Sequence, residues 1–234
     1  MTDVQQPTLG QIVVANPAAA RVLESYGLDY CCGGHRSLSD ACAAAGVDPR
    51  AVTDALDHVR DEGEASWTAL DAPSLARQIV ATHHQYLHEE LPRLDALAEK
   101  VLAVHGERHP ELVEVRRLVS ALRADLEPHL LKEERILFPA IDALAAGRRE
   151  FHFGSVENPI RMMEREHELA GDLLAALRAV TAGYDVPADG CASFRSLYAR
   201  LAELEADTHE HIHKENNVLF PAAIQMFLRG DQTG

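Results

Sequence analysis

The sequence has no surplus of basic residues and no long hydrophobic run. Its 234 residues include 22 lysines and arginines against 37 aspartates and glutamates, which gives a formal net charge of −15. Because an acidic surface repels phosphate backbones and anionic lipid headgroups, we expect neither nucleic acid nor a membrane surface as a partner. No apolar stretch approaches the ~18 residues that a membrane-spanning helix requires. The first residues, MTDVQQPTLGQ, lack the features of a secretory signal, so we expect a cytoplasmic protein.

Cysteine is also scarce. The chain contains 4 cysteines, and two of them, Cys31 and Cys32, stand side by side in the stretch YCCGGH. So few thiols in a reducing compartment exclude the disulfide framework of a small secreted protein. Long runs of alternating β-branched residues are missing too, whereas alanine, leucine and glutamate are abundant. These features predict an all-α protein.

Residues 1–63 are predicted to form a small domain of short helices. Three helices are expected, each from signals at its two ends: Asn16-Pro17 with Gly27, Ser37 and Asp40 with Gly46, and Asp48-Pro49 with Gly63. The YCCGGH stretch lies between the first and the second of these helices. Residues 64–73 are predicted to be a linker.

Residues 74–234 are predicted to form an up-down-up-down four-helix bundle. Long amphipathic helices are expected at about 73–104, 110–145, 159–182 and 190–229, joined by short links. Four prolines within these segments are expected to kink or end the helices locally: Pro92, Pro128, Pro139 and Pro221.

Histidine, by contrast, is abundant: the chain has 13, and histidine is the commonest metal ligand among side chains. The stretch HLLKEERILFP at residues 129–139 is repeated as HIHKENNVLFP at residues 211–221. Each copy contains His-x-x-x-Glu, whose two side chains share one face of a helix and can meet the same metal. Glu134 competes with Glu133 in the first copy, but its counterpart is Asn216, so the repeat selects Glu133. The repeat therefore gives these pairs: His129 with Glu133, and His211 with Glu215.

A further histidine precedes each copy of the repeat. His84 lies 45 residues before His129, and His167 lies 44 residues before His211. Both midpoints fall in predicted turns, so each upstream histidine should face a His-x-x-x-Glu pair within an antiparallel hairpin. Two packed hairpins then bring four histidines and two glutamates into the bundle interior, where a cation must compensate them. Because all six side chains offer nitrogen or oxygen donors, a thiolate-rich structural zinc site is disfavoured, and the donor set suits iron, manganese or zinc.

With these residues identified, the sequence resembles the RIC (repair of iron centres) family of iron-sulfur cluster repair proteins. The YCCGG stretch matches that family's short N-terminal domain, and the two His-x-x-x-Glu…LFP segments match its hemerythrin-like di-iron domain. The resemblance implies a cytoplasmic protein for repair of clusters damaged by oxidative or nitrosative stress. It also implies two non-haem iron ions per chain, oxo- or hydroxo-bridged, with Glu133 and Glu215 as bridges. The implied metal ligands are His84, His129, Glu133, His167, His211 and Glu215.

Neighbouring ionisable residues leave alternatives open. His83 adjoins His84, and spacing alone does not separate them, although the family motif favours His84. His88, one turn further along, is either a fifth histidine ligand or a residue outside the ligand set. Asp125 and Glu166 either hydrogen-bond ligand imidazoles or are ordinary helix-surface charges. The other histidines are expected to point away from His211 or to lie on the surface: His209 and His213, then His35, His58, His105, His109 and His152.

Two kinds of function are open, the first supported by the resemblance and the second by the bundle alone. The first is cluster repair by a protein that supplies iron, with damaged iron-sulfur proteins or the cluster assembly machinery as partners. The alternative is binding, sensing or reduction of nitric oxide or dioxygen at an open metal position, and nitric oxide reduction would make the protein an enzyme. A hydrolytic two-metal site ranks below both, because no separate general base stands out. An exposed apolar face on the N-terminal helices would indicate a homodimer.

Several roles are open for Cys31 and Cys32. Adjacent thiols lack the two-residue spacing of a metal knuckle, and a vicinal disulfide is strained in a reducing compartment. The two cysteines are therefore either part of a structural turn at Gly33-Gly34 or a redox or iron-transfer dithiol. In the second case, His35 and a helix N-terminus are expected to activate the thiols.

Overall fold

The structure is a computed structural model and describes residues 6–59 and 66–230. These residues form helices and no β-strand, which confirms the all-α fold. No helix in the described ranges is both long and apolar enough to cross a membrane. The N-terminal part contains four short helices: α1 (Leu9–Ala15), α2 (Ala19–Ser25), α3 (Leu38–Ala45) and α4 (Pro49–Asp57).

Most of the expected helix ends in this part are present. The Ser37 hydroxyl accepts the backbone N–H of Asp40 at the start of α3, and Gly46 ends that helix at φ 69°. Helix α1 was not expected; a capping box of Thr8 and Gln11 starts it. Helix α4 ends at Asp57, and the expected stop at Gly63 lies outside the described residues.

The second part is a bundle of four long helices, three of which contain one π-helical turn. Helix A consists of α5 (Ala72–Ile79), the turn π1 (Val80–His84) and α6 (Gln85–His105), and helix B consists of α7 (Glu111–Lys132), π2 (Glu133–Leu137) and α8 (Phe138–Ala145). Helix C is α9 (Glu157–Val180), and helix D consists of α10 (Ala192–Lys214), π3 (Glu215–Leu219) and α11 (Phe220–Gly230). Each predicted end lies within two residues of the observed one. Because α6 packs on α7 and α10, and α9 packs on the same two helices, the four helices form a closed square.

The π-helical turns explain two of the prolines. Pro139 and Pro221 each follow a π-helical turn by two residues. A proline lacks the N–H of the normal helical bond and crowds the carbonyl four residues back, and the wider π-helical turn relieves both. Pro92 and Pro128, by contrast, lie inside α6 and α7, which continue past them.

The predicted linker is partly structured, because Ser66–Ala69 form a 3-10 turn and Trp67 packs into the bundle. The boundary between residues 63 and 74 falls partly outside the described residues and stays a prediction. The N-terminal helices cover one side of the bundle, and their apolar core includes Ile212 of helix D. A Cβ atom at Gly34 would lie 2.4 Å from Asn217 Oδ1 and 2.4 Å from the Tyr30 carbonyl oxygen, so this close approach requires glycine.

Two apolar clusters inside the bundle leave a polar layer between them. One cluster contains Leu87, Leu126 and Leu204, and the other contains Ile79 and Leu219 with their neighbours. Each bundle helix passes through the layer between the clusters, and there it carries buried histidine or glutamate. The fold therefore collects ionisable side chains at one level of an otherwise apolar core.

Candidate metal centre

All six predicted ligands meet in this polar layer, and each is at most 1% exposed. Their donor atoms form two groups of four, in each of which every donor lies within 4.8 Å of the others. Glu133 and Glu215 belong to both groups. The first group adds His84 and His211, and the second adds His129 and His167. Three of the six lie at the ends of π-helical turns: His84 ends π1, Glu133 begins π2 and Glu215 begins π3.

Within each hairpin the upstream histidine faces its own His-x-x-x-Glu pair, as the spacing predicts: His84 Nε2 lies 3.4 Å from Glu133 Oε2, and His167 Nε2 lies 3.2 Å from Glu215 Oε2. The spacing does not predict which histidines share a group of four. In the structure each group takes one histidine from each hairpin. Spacing fixes the height of a residue along the bundle, but the lateral position depends on how the two hairpins pack.

Donor separations fit ligands that share an ion. Glu215 places one oxygen 3.2 Å from His167 Nε2 and the other 3.2 Å from His211 Nε2. Glu133 Oε2 lies 3.3 Å from His129 Nε2 and 3.4 Å from His84 Nε2. Two donors that are each about 2.1 Å from one ion lie about 3.0–3.4 Å apart.

The buried polar atoms at the centre also favour a bound cation. Nε2 of His84, Nε2 of His211 and all four carboxylate oxygens of Glu133 and Glu215 make no hydrogen bond to the described residues. A buried carboxylate without hydrogen bonds is costly, and a bound cation removes that cost. The residues therefore fit a metal centre, and their imidazole and carboxylate donors suit iron.

The charges of the metal-free centre depend on ion pairs among the six predicted ligands. Burial would raise the pKa of Glu215, but His211 and His167 hold it well below its ordinary value. Burial alone would lower the pKa of His129, yet the negative charge of Glu133 raises it to about 10. Without metal, His129 therefore carries a proton that partly compensates the two carboxylates.

Each hairpin supports its upstream histidine in the same way. The residue after each shared glutamate accepts a hydrogen bond from an imidazole: Glu134 Oε1 lies 2.9 Å from His84 Nδ1, and Asn216 Oδ1 lies 2.8 Å from His167 Nδ1. These contacts fix the ring orientation and leave Nε2 facing the centre. The phenylalanine of each LFP segment covers a ring face, with centroids 5.5 Å apart for Phe138 on His84 and 5.9 Å apart for Phe220 on His167.

The other two histidines are supported differently. Glu166 Oε2 accepts from His129 Nδ1 at 2.9 Å, and this hydrogen bond lowers the pKa of Glu166 to about 2. Glu166 also pairs with Lys132. His211 instead stacks on His83, with ring centroids 5.4 Å apart. His83 is thus buried beside the centre without belonging to either group of four.

The remaining histidines lie outside both groups of four. The side chain of His88 is 40% exposed and contacts Glu134. This position favours the alternative that His88 is a residue outside the ligand set. The predicted surface position of His105 is wrong, because it is 4% exposed and packs on Cys191 and Phe194. His213 is directed toward Tyr30, away from the centre, and is fully buried.

The cysteine turn lies directly against the centre. The Cys32 thiol donates to the backbone carbonyl of His167 at 3.5 Å. Asp29 Oδ1 accepts the backbone N–H groups of Cys31 and Cys32, each at 3.0 Å. The hydrogen bond to Cys32, burial and the Asp29 carboxylate raise the pKa of Cys31 well above its ordinary value, which is the opposite of the expected activation.

Comparison with known proteins gives two family matches and several relatives. Residues 75–223 match the hemerythrin HHE cation binding domain, and residues 5–60 match a domain of unknown function, DUF542. The iron-sulfur cluster repair protein ScdA of Staphylococcus haemolyticus is 34% identical, over 91% of this chain and 95% of that protein. The iron-sulfur cluster repair protein YtfE of Musicola paradisiaca is 35% identical, over 94% of this chain and 97% of that protein. YtfE of Edwardsiella ictaluri is also 35% identical, over 96% of this chain and 99% of that protein. The chain therefore belongs to the family of iron-sulfur cluster repair proteins with a hemerythrin HHE cation-binding domain.

Proposed function

We propose that this protein repairs iron-sulfur clusters by supplying iron from a centre of two iron ions in the bundle. The observation that carries the proposal is that Glu133 and Glu215 belong to both groups of four, so the six residues suit two cations side by side. When bound, the pair would supply redox-active iron, with the oxo or hydroxo bridge that the resemblance implies.

The donor set suits release as well as storage. Thiolate and sulfide, the ligands of iron-sulfur clusters, are softer donors than imidazole and carboxylate. A cluster site therefore binds iron more tightly than this centre, which favours transfer to the cluster protein. When iron leaves, Nε2 of His129 can take up a proton, because Glu133 and Glu166 stabilise the imidazolium. That proton replaces part of the lost positive charge and limits the cost of the two buried carboxylates.

The client clusters in this proposal are those damaged by oxidative or nitrosative stress in the cytoplasm. The partners are the damaged iron-sulfur proteins themselves or the machinery that assembles clusters. The relatives' names and the resemblance of the YCCGG and His-x-x-x-Glu segments support this assignment. A homodimer stays a prediction.

Isotope transfer tests the proposal. The protein is loaded with 57Fe and mixed anaerobically with an enzyme that lacks its cluster, together with sulfide, a thiol reductant and a chelator that captures free iron. We expect labelled iron in the restored cluster and faster recovery of activity than equimolar ferrous salt gives. His129→Ala should abolish the gain, whereas the exposed His152→Ala should keep it. Recovery no faster than with the ferrous salt would contradict iron supply, and nitric oxide turnover by the same preparation would favour gas chemistry.

A further inference from the structure

A third cluster of metal-binding side chains lies outside the bundle centre. Asp29, Cys31 and Cys32 sit in the turn between α2 and α3, and their donor atoms all lie within 4.8 Å of one another. None of the three belongs to the two groups of the centre. Cys31 is buried and Cys32 half-buried, and both are free thiols.

The separations in this cluster fit a tetrahedral ion better than a disulfide. The two sulfurs lie 4.0 Å apart, and Cys31 Sγ lies 3.2 Å from Asp29 Oδ1. Around a tetrahedral ion with metal–sulfur bonds of about 2.3 Å, two sulfurs are about 3.8 Å apart, and sulfur and oxygen about 3.5 Å. A disulfide requires about 2.05 Å between the sulfurs.

The backbone holds the Asp29 carboxylate in place before any ion binds. Its Oδ1 accepts from the backbone of Cys31 and Cys32, and its Oδ2 accepts the N–H of Gly33 at 2.8 Å. A Cβ atom at Gly33 would lie 2.8 Å from the Asp29 carbonyl oxygen, so the turn closes tightly around this residue. A ligand held this firmly loses little conformational entropy when a metal binds.

The surroundings admit a cation from two sides. A cavity of about 390 Å³ opens beside the cluster, and the described residues that line it include one arginine, Arg178, which pairs with Glu205, and four further acidic residues: Glu24, Asp29, Glu168 and Asp172. This excess of negative charge attracts cations. A second cavity, of about 270 Å³, is lined by both cysteines and by Asn216, which orients the ligand His167. The cluster therefore lies between the metal centre and an acidic opening.

We propose that Asp29, Cys31 and Cys32 form a second metal site, which takes a thiophilic divalent cation such as Fe²⁺ or Zn²⁺. The ion binds two thiolates and one carboxylate oxygen, and its fourth position faces the larger cavity. Binding displaces the two thiol protons to solvent and changes no oxidation state. If the bundle supplies iron as proposed above, Fe²⁺ binds at this site on its way from the bundle to the cluster protein.

Cobalt tests the site without reference to repair. Reduced protein with its bundle already filled with iron is titrated anaerobically with Co²⁺. We expect a sulfur-to-cobalt charge-transfer band that saturates at one cobalt per chain, because the bundle centre has no sulfur ligand. Cys31→Ser and Cys32→Ser should each weaken binding at least tenfold, and Asp29→Asn, which keeps an acceptor oxygen for the turn, should weaken it less. Cys42→Ser and Cys191→Ser are the matched controls and should leave the band unchanged. Absence of the band, or its persistence in the double Cys31→Ser, Cys32→Ser variant, would overturn the site.

The 57Fe transfer assay then separates the site from the repair function. The double cysteine variant should hold as much bundle iron as the unmodified protein and transfer it at least several-fold more slowly. Equal transfer rates would overturn the exit role. A cobalt band in a protein that transfers no label at all would support the second site and contradict iron supply instead. Unchanged bundle absorption and helical circular dichroism show that the variants are folded.

Discussion

The side-chain amide of Asn217 donates a hydrogen bond to the backbone carbonyl of Cys31 at 3.1 Å. Asn217 belongs to the π-helical turn that begins with Glu215, so the cysteine turn is bound to the same structural element that carries a predicted metal ligand. A second contact, from Cys32 to the His167 carbonyl, ties the turn to helix C. The N-terminal helices are therefore bound to two segments that carry predicted ligands.

Two glycines at this junction should respond to alanine in opposite directions. In Gly34→Ala the new Cβ would lie 2.4 Å from Asn217 Oδ1 and 2.4 Å from a backbone oxygen, so we expect a loss of about 1–3 kcal/mol in the free energy of unfolding. In Gly171→Ala, inside helix C, the nearest atom is Cys32 Sγ at 3.8 Å, an ordinary contact. Alanine there should raise the free energy of unfolding by about 0.5–1 kcal/mol. Urea unfolding of both variants measures this difference, and equal effects would contradict the close packing at Gly34.

Loss of a shared glutamate should remove more metal than loss of one histidine. Glu133 belongs to both groups of four, whereas His84 belongs to one. We therefore expect Glu133→Ala to hold less than one iron per chain and His84→Ala to retain about half of the normal content. His88→Ala, next to the centre but outside both groups, serves as the control. Metal analysis after anaerobic loading measures the three contents, and equal loss in the two ligand variants would contradict the shared role of Glu133.

The support of His84 by Glu134 should be visible in iron affinity. Because Glu134 accepts from His84 Nδ1 at 2.9 Å, Glu134→Ala frees the ring, and we expect iron affinity to fall about 10–100-fold. Glu134→Gln keeps an acceptor oxygen and should lose much less. Competition with a coloured chelator gives the affinities, with the exposed Glu107→Ala as a control. Similar losses in the alanine and glutamine variants would mean that the charge of Glu134 matters rather than its hydrogen bond.

The sequence could predict the bundle helices and the convergence of six side chains, because both follow from regular spacing along a helix. It could not predict which histidines share a group, since that depends on the packing of one hairpin against the other. The turns π2 and π3 have a signal in Pro139 and Pro221, but π1 has none in the sequence. Burial of His105 and His213 was missed because their covering partners, Cys191 and Tyr30, are distant in the sequence.

His213 should make the metal-free protein less stable in mild acid. Burial lowers the pKa of His213 in the folded protein to about 4, whereas an unfolded chain has a histidine pKa of about 6.5. Between these values the unfolded chain binds a proton that the folded protein does not, so stability falls as the pH decreases. From about pH 7 to about pH 5 this residue should account for about 2 kcal/mol of lost unfolding free energy.

Comparison of variants separates this effect from the other buried histidines. His211 also has a lowered pKa, and those of His84 and His129 are raised, so the unmodified protein reports a sum of opposing contributions. His213→Gln removes only its own contribution, and we expect its loss of stability between the two pH values to be about 2 kcal/mol smaller. Urea unfolding at both pH values measures this loss of unfolding free energy. If His213→Gln and the unmodified protein lose the same amount between the two pH values, His213 is protonated equally in the folded and unfolded states.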